Sequence, residues 1–210
     1  MHLITKNKMK IKYIRYFAIF FLTILSLYKV NSNALEIDKK VYAGNKDAKV
    51  TVKVFSSLTC PYCADFHKNV FIKLKKEFID SNYVRFEHHS FPLDLAALNA
   101  EKILRCVTDH KKRIALLDEI YEKQEEWASG NDINNINSKL SKIAKKYDLN
   151  DDRIKNCLID ENLENEILEI RINGSKKYSI QSTPTIFINE KKYDGKHDYN
   201  LFKKEIEKLL

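Results

Sequence analysis

The sequence predicts an α/β fold interrupted by a long block of helices, and three observations support this. A β-branched segment at residues 49–56 leads into CPYC at 60–63 and then into a helical pattern. From residue 94 to about 177 the apolar spacing is helical almost throughout. Strand character returns at residues 185–189. Because no low-complexity linker separates the parts, we expect the helical block to be an insertion within one α/β domain.

The first predicted strand is Lys49 to Ser56, KVTVKVFS, with residues 35–48 serving only as a lead-in. A helix follows from Pro61, because proline suits the first turn of a helix. The apolar side chains behind it recur at helical spacing and share one face. These side chains are Phe66, Val70, Phe71, Leu74 and Phe78.

A second strand is predicted at Tyr83 to His89, and the chain then turns at Phe91-Pro92. The helical block contains several amphipathic runs separated by polar breaks such as ASGND and DLND. After the block, TIFIN at 185–189 and the residues at 191–193 predict a hairpin. The final run, YNLFKKEIEKLL, predicts a closing helix.

The composition is that of a globular, helix-rich protein. Among 210 residues, 44% are apolar and 31% charged, with only 4 Gly and 3 Pro. This length suits one domain, or one domain with an insertion, and the composition argues against disorder.

The net charge of +8 lies mainly at the N-terminus. Six basic and no acidic residues precede Leu35, and taking those six from the total of 37 leaves 31 basic against 29 acidic residues. Lysine and glutamate alternate along the predicted helices, whereas a nucleic-acid groove needs a one-sided basic stripe. We therefore expect no nucleic-acid partner.

The first 34 residues resemble a secretory signal. A basic segment through Arg15 precedes an apolar run from Tyr16 to Tyr28, and small and polar residues follow. Ser32 and Ala34 suit a peptidase site, which predicts cleavage after Ala34. The run is shorter than the ~20 residues of a spanning helix. An uncleaved anchor is the alternative, and either reading places the rest of the chain where disulfides persist.

The pair Cys60 and Cys63 supplies what disulfide exchange needs: an attacking thiolate and a second thiol that resolves the mixed disulfide. A helix N-terminus stabilises a thiolate through its partial positive charge and its free N–H groups. We therefore expect Cys60 to be the nucleophile and Cys63, one turn further in, to be the resolving thiol.

The same spacing also occurs in zinc sites and in structural disulfides. A zinc site needs a second, closely spaced ligand pair, and Cys106 and Cys157 lie far apart in the sequence. The three histidines His67, His88 and His89 are interpreted as surface or packing residues. A passive disulfide across so short a loop stabilises little. The redox interpretation is preferred, with no metal and no cofactor expected.

The order of strand, CPYC, helix, helical block and STPTIFI at 182–188 resembles the DsbA family of exported thiol-disulfide oxidoreductases. The resemblance runs from about residue 40 to the end and implies a thioredoxin-like fold with an inserted all-helical domain. It implies four segments. They are a signal peptide at 1–34, a first part of the thioredoxin-like domain at 35–92, the inserted helical domain at 93–177 and a second part of the thioredoxin-like domain at 178–210.

The resemblance also implies site residues. Pro184 would be a cis-proline facing the cysteines, and Thr183 would lie beside Cys60 and offer backbone groups to an extended substrate. Pro61 and Tyr62 would contact the substrate as well.

For the other two cysteines, an exported chain favours pairing over free thiols, and some family members resemble this chain in having a second bridge. We therefore expect a structural disulfide between Cys106 and Cys157, with two buried free thiols as the alternative.

Two positions depart from the family pattern. Many thioredoxin-fold enzymes have a buried carboxylate six residues before the first cysteine, where this chain has Val54. The base that would serve Cys63 is therefore not identified. Tyr62 follows Pro61 where the strongest oxidants of the family have histidine, and Pro-Tyr also occurs in glutaredoxins. These departures leave the direction of exchange open.

The function expected from the resemblance is the introduction of disulfide bonds into cysteine-containing exported proteins. A membrane redox partner would reoxidise the pair, and the protein would be a periplasmic monomer. A disulfide isomerase or reductase of the same fold is the alternative, followed by a non-catalytic exported binding module. For localisation, the alternative is a membrane-anchored protein facing the periplasm.

Overall fold

The computed structural model describes residues 40–210. The predicted signal segment, 1–34, lies outside the described residues, as does the start of the segment 35–92.

The elements before the helical block are strand β1 (Val41–Ala43), strand β2 (Val50–Ser56), helix α1 (Pro61–Phe66) and strand β3 (Val84–Ser90). Beyond α1 the chain remains helical through His67–Phe71, Ile72–Leu74 and Lys75–Ile79. The apolar face predicted for this helix is buried, with its five side chains at most 8% exposed. Helical spacing alone therefore located the core-facing side.

The helical block contains six α-helices between β3 and the next strand. They are α2 (Leu95–Cys106), α3 (His110–Glu122), α4 (Gln124–Trp127), α5 (Ile133–Ala144), α6 (Asp151–Leu158) and α7 (Glu161–Lys177). Five of them begin at an aspartate or asparagine whose side chain accepts a hydrogen bond from a backbone N–H of the first turn. The polar breaks of the sequence are therefore helix caps. After the block come strand β4 (Thr185–Ile188), strand β5 (Lys191–Lys192) and helix α8 (Tyr199–Glu207).

The sheet has five strands in the order β1-β3-β2-β4-β5. Strands β2 and β3 are parallel, whereas β1 with β3, β2 with β4 and β4 with β5 are antiparallel. In this register Phe55 lies opposite Thr185. The end of β2, which leads into CPYC, is thereby placed beside the start of β4.

Strand β1 was not predicted from the sequence. Residues 35–48 were expected only to lead into the first strand, yet Val41 to Ala43 pair with β3 from His88 to Phe86. Three residues are too few to show a period of two, so their extended structure depends on the partner strand.

One continuous hydrophobic core contains residues from the sheet, from α1 and from the helical block. It includes Val52 on β2, Phe71 behind α1 and Trp127 of α4, all 0% exposed. The helical block therefore packs on the sheet directly and supports the segment between β2 and α1. Within residues 40–210, none of the helices is both long and apolar enough to cross a membrane.

The other cysteine pair joins two helices of the block. Cys106 at the end of α2 and Cys157 in α6 form a disulfide with a Cα–Cα distance of 6.3 Å. This bridge does not involve Cys60 and Cys63, which are free thiols.

Candidate redox site

Cys60 occupies the residue immediately before α1. Its backbone is extended, with φ −76° and ψ 120°. Its carbonyl oxygen accepts hydrogen bonds from the backbone N–H groups of Cys63 and Ala64, at 3.1 and 3.2 Å. Its side chain therefore stands at the positive end of the helix, where unpaired N–H groups favour an anion.

The other three residues of CPYC differ in exposure. Pro61 is the first residue of α1, where its missing N–H costs nothing. Tyr62 is 73% exposed, whereas Cys63 is only 1% exposed. Cys63 is thus more fully enclosed than Cys60, which is itself only 6% exposed. The two residues between the cysteines face outward.

The loop before β4 lies against the cysteines. The Thr183–Pro184 peptide bond is cis. In its protonated form, the Cys60 thiol donates a hydrogen bond to the carbonyl oxygen of Thr183 at 3.3 Å. The Thr183 hydroxyl is buried, and among the described residues no atom meets the geometry of a hydrogen bond with it. That hydroxyl is a donor available to a thiolate.

The surroundings lower the pKa of Cys60 from 9.0 to about 5. The largest cause is a hydrogen bond with the Cys63 thiol, and further stabilisation comes from Thr183 and from the N–H groups of Cys63 and Tyr62. Burial acts in the opposite direction. Cys60 is therefore a thiolate at neutral pH, which is the form that attacks disulfides.

The surroundings raise the pKa of Cys63 instead. Burial is the largest cause, followed by the hydrogen bond and the negative charge at Cys60. Two identical side chains three residues apart thus receive opposite roles, with Cys63 protonated while Cys60 carries the charge. Because the two titrations depend on each other, the two pKa values belong to the pair.

Val54 offers no carboxylate behind the pair. It is 1% exposed on β2 and lies between His88 of β3 and Ile186 of β4. The buried phenol nearest to this role is Tyr121 of α3, and its pKa is raised by burial and then by Cys63. A phenol with a raised pKa can donate a hydrogen bond but is not a base at neutral pH. A base for Cys63 is therefore not found among the residues that the structure describes.

Two polar side chains of the helical block reach the segment before Cys60. Asp94, at the start of α2, accepts a hydrogen bond from the Thr59 hydroxyl at 2.7 Å. Gln124 of α4 donates to backbone carbonyls of Leu58 and Cys60. None of Thr59, Asp94 and Gln124 was predicted from the sequence as a site residue. The Asp94 position could have been recognised as a helix cap, but no local signal marks Gln124.

Two of the three histidines interpreted as surface or packing residues, His67 and His88, are buried against other side chains. His67 Nε2 lies 2.8 Å from Asp118 Oδ1, and the imidazole stacks on the Phe71 ring with the centroids 4.3 Å apart. His88 Nε2 lies 2.6 Å from Glu101 Oε1 in a fully buried pair. Between residues 40 and 210, no group of three or more His, Cys, Asp or Glu side chains is arranged to hold a metal ion.

Comparison with known proteins gives one family model, described as Thioredoxin, that matches residues 36–208. Disulfide bond formation protein D of Bacillus subtilis is 29% identical over 180 residues, covering 80% of this chain and 75% of that protein. Relatives from Rickettsia bellii and Rickettsia typhi are each 26% identical over 162 residues, and the match covers only 59% and 57% of their lengths.

Among solved structures, α-DsbA1 of Wolbachia pipientis superimposes with a TM-score of 0.75 at 25% sequence identity. The match covers 81% of this chain and 90% of that one. The structural likeness therefore includes the helical block as well as the sheet.

Proposed function

We propose that this chain, which belongs to the thioredoxin family and is DsbA-like, is a thiol-disulfide oxidoreductase. It would introduce disulfide bonds into exported proteins. The observation that carries this proposal is the opposite perturbation of Cys60 and Cys63. A lowered pKa at Cys60 stabilises the reduced protein. A stabilised reduced form makes the disulfide form a stronger oxidant.

The reaction begins with the oxidised Cys60–Cys63 disulfide. A client thiolate attacks Cys60 Sγ, a mixed disulfide forms, and the sulfur of Cys63 leaves with the electron pair and takes up a proton. A second client thiolate then attacks the client sulfur of the mixed disulfide, and the Cys60 thiolate leaves. The client loses two electrons and the pair gains two. Because its pKa is low, Cys60 is a good leaving group in this second step.

The client would bind across the surface around CPYC. Thr183 presents backbone beside Cys60 Sγ, and Pro184 follows it through the cis peptide bond. Pro61 and Tyr62 project outward from the start of α1. An extended client segment could pair with the backbone of Thr183 while a client cysteine lies over Cys60.

The remaining parts of the proposal concern the setting. The predicted signal segment supports export to the periplasm, and the Cys106–Cys157 disulfide suits an oxidising compartment. A membrane redox partner would return the reduced pair to the disulfide form. The protein would act as a monomer without metal or cofactor.

The test measures oxidation of a reduced, disulfide-requiring model protein by the purified oxidised chain. Cys60→Ser should abolish transfer, whereas the double variant Cys106→Ala/Cys157→Ala, a matched pair of cysteines outside the site, should retain it. Equal activity of the wild type and Cys60→Ser would end the enzyme proposal in favour of a binding module.

The direction of exchange is measured separately, by equilibration with glutathione. A potential near the roughly −270 mV of thioredoxin would contradict the oxidase assignment and support a reductase. Efficient rescue of a scrambled protein, with poor oxidation of a reduced one, would support an isomerase.

A further inference from the structure

Gln124 is a buried amide of the helical block that binds the loop at residues 57–60, just before α1. The residue is 7% exposed. Its Nε2 donates to the carbonyl oxygen of Leu58 at 2.8 Å and to that of Cys60 at 3.0 Å. The two N–H donors of one amide group therefore hold the chain on both sides of Thr59. We propose that Gln124 is a positioning residue that fixes the Cys60 backbone and thereby sets the reactivity of its thiol.

The contact acts on the residue whose conformation matters most for the thiolate. The Cys60 carbonyl also accepts the first hydrogen bonds of α1, from Cys63 and Ala64. Its direction depends on ψ of Cys60, which is 120°. Because Gln124 holds that carbonyl from outside the helix, it fixes the angle at which Sγ faces the N–H groups of α1.

Gln124 is itself held firmly enough to do this. Its backbone carbonyl oxygen accepts a hydrogen bond from the N–H of Ala128 at 2.9 Å. Trp127, in the same short helix, is 0% exposed, and its indole donates to the carbonyl of Ile120 at 2.8 Å. A side chain supported by packed neighbours positions a reactive group more accurately than one on a free loop.

A second contact restrains the same loop without touching Cys60. The Thr59 hydroxyl donates to Asp94 at 2.7 Å, and Ser57 Oγ lies 3.2 Å from Thr59 Oγ1. This contact keeps the loop near the helical block when Gln124 is changed. Loss of the Gln124 contacts should therefore loosen the Cys60 peptide rather than unfold the site.

The inference rests on the proposed function only in taking Cys60 and Cys63 as the redox pair. A purely structural amide would change the stability of the protein and leave the chemistry of Cys60 as it was. A positioning amide changes the ionisation of Cys60 and the equilibrium with glutathione. With the thiolate less stabilised, the pKa of Cys60 rises and the disulfide form becomes the weaker oxidant.

The experiment compares two variants. Gln124→Met keeps the length of the side chain and removes both N–H donors. Gln124→Glu keeps the shape of the side chain but, when ionised, can only accept hydrogen bonds. The matched control is Asn99→Leu. Asn99 is another buried amide of the helical block, 9% exposed, and its hydrogen bond goes to Asn137 rather than to the loop. The readouts are thiolate absorbance against pH, the glutathione equilibrium and the melting temperature.

Both Gln124 variants should raise the pKa of Cys60 and shift the glutathione equilibrium about threefold or more toward the disulfide. Gln124→Glu should show the larger shift, because its carboxylate repels the thiolate and the carbonyls. Asn99→Leu should lower the melting temperature without moving either quantity. Gln124 variants that lose stability but retain the wild-type ionisation and equilibrium would overturn the inference. A wild-type protein that fails to oxidise clients would contradict the proposed function and leave this comparison intact.

A measurement on the unaltered protein covers the case in which the variants do not fold. In reduced, isotopically labelled wild type, the Gln124 side-chain amide signals should exchange slowly with solvent. The chemical shifts of these amide signals should also change with pH, with the same midpoint as the ionisation of Cys60. Amide signals that exchange rapidly and do not follow Cys60 would overturn the inference.

Discussion

At the scale of single residues, the site depends on how differently the protein treats two cysteines. Cys60 faces backbone N–H groups and Thr183, and its pKa falls. Cys63 is enclosed in the core, and its pKa rises. The same side chain is therefore favoured as a thiolate in one place and as a thiol in the other.

The reactivity of Cys60 should follow its ionisation. In the reduced protein, the rate of alkylation at Cys60 by iodoacetamide should rise with pH around a midpoint near the Cys60 pKa of about 5. In Cys63→Ala the midpoint should move to higher pH, because the hydrogen bond from Cys63 is the largest stabilising cause. Mass spectrometry of pH-dependent labelling measures both midpoints. An unchanged midpoint in Cys63→Ala would show that the Cys63 thiol does not stabilise the thiolate, and that Thr183 and the backbone N–H groups account for the lowered pKa.

The same shift has a consequence for stability. The folded pKa of Cys60, about 5, lies below its ordinary value of 9.0. The stability that the thiolate contributes is therefore fully present above pH 9 and is lost as the pH falls through about 5. The pKa of Cys63 is raised in the folded state, so Cys63 lowers the stability of the reduced protein only above pH 9. The reduced protein should thus gain stability relative to the oxidised one as the pH rises from 5 to 8. Urea unfolding of both forms across this pH range measures the difference. A difference in stability that does not change with pH would contradict the lowered pKa.

At the scale of helices and strands, local sequence signals account for most boundaries. The asparagine and aspartate caps explain where five helices of the block begin. The turn after β1 follows a different rule. Gly44 has φ of +89°, and a Cβ there would lie 2.3 Å from the carbonyl oxygen of Val84. Both the backbone angle and the close approach to β3 require glycine.

Gly44→Ala should destabilise the protein by about 3 kcal/mol, since it combines a left-handed backbone with overpacking. Gly130→Ala is the matched control, because Gly130 has φ of +92° but, its chain neighbours aside, no heavy atom of residues 40–210 lies within 4 Å of an added Cβ. It should cost only about 1 kcal/mol. Urea unfolding compares the two variants, provided that the free energy of unfolding depends on urea concentration with the same slope in both. Equal losses would mean that the approach to Val84 contributes nothing.

At the scale of the whole molecule, the helical block and the sheet share one core, and the block also contacts the loop that leads to Cys60. The disulfide between Cys106 and Cys157 joins α2 to α6 within the block, at a sequence separation of 51. It therefore stabilises the part of the protein that supports Asp94 and Gln124. The redox pair itself lies outside this bridge.

Removing the bridge in Cys106→Ala/Cys157→Ala should lower the free energy of unfolding by about 4 kcal/mol, the chain-entropy value for a loop of this length. Chemical unfolding of wild type and variant, both with Cys60–Cys63 oxidised, measures the loss. The glutathione equilibrium of Cys60–Cys63 should stay the same. A changed equilibrium would instead indicate that the bridge influences the active site.

Features that depend on residues close together in the chain could be predicted from the sequence. The pattern behind Pro61 identified the buried face of its helix, and two cysteines at the start of that helix indicated redox chemistry. The three-residue strand at Val41–Ala43 was missed because its structure depends on pairing with β3. No sequence pattern predicted that His67 would be buried beside Asp118, or Glu101 beside His88.

By itself, the sequence determined the order of the strands and helices other than β1, the helical block between them and the placement of Cys60 at a helix start. These properties follow from periodicity and spacing over a few residues. The residue patterns of this chain did not identify the distant groups around the thiol. Thr183 was expected beside Cys60 only from the family resemblance, and Gln124 was found only in the tertiary structure. Thr183 is 123 positions from Cys60 and Gln124 is 64 positions away. Contacts at such separations depend on how the sheet and the helices pack, and no local pattern encodes them.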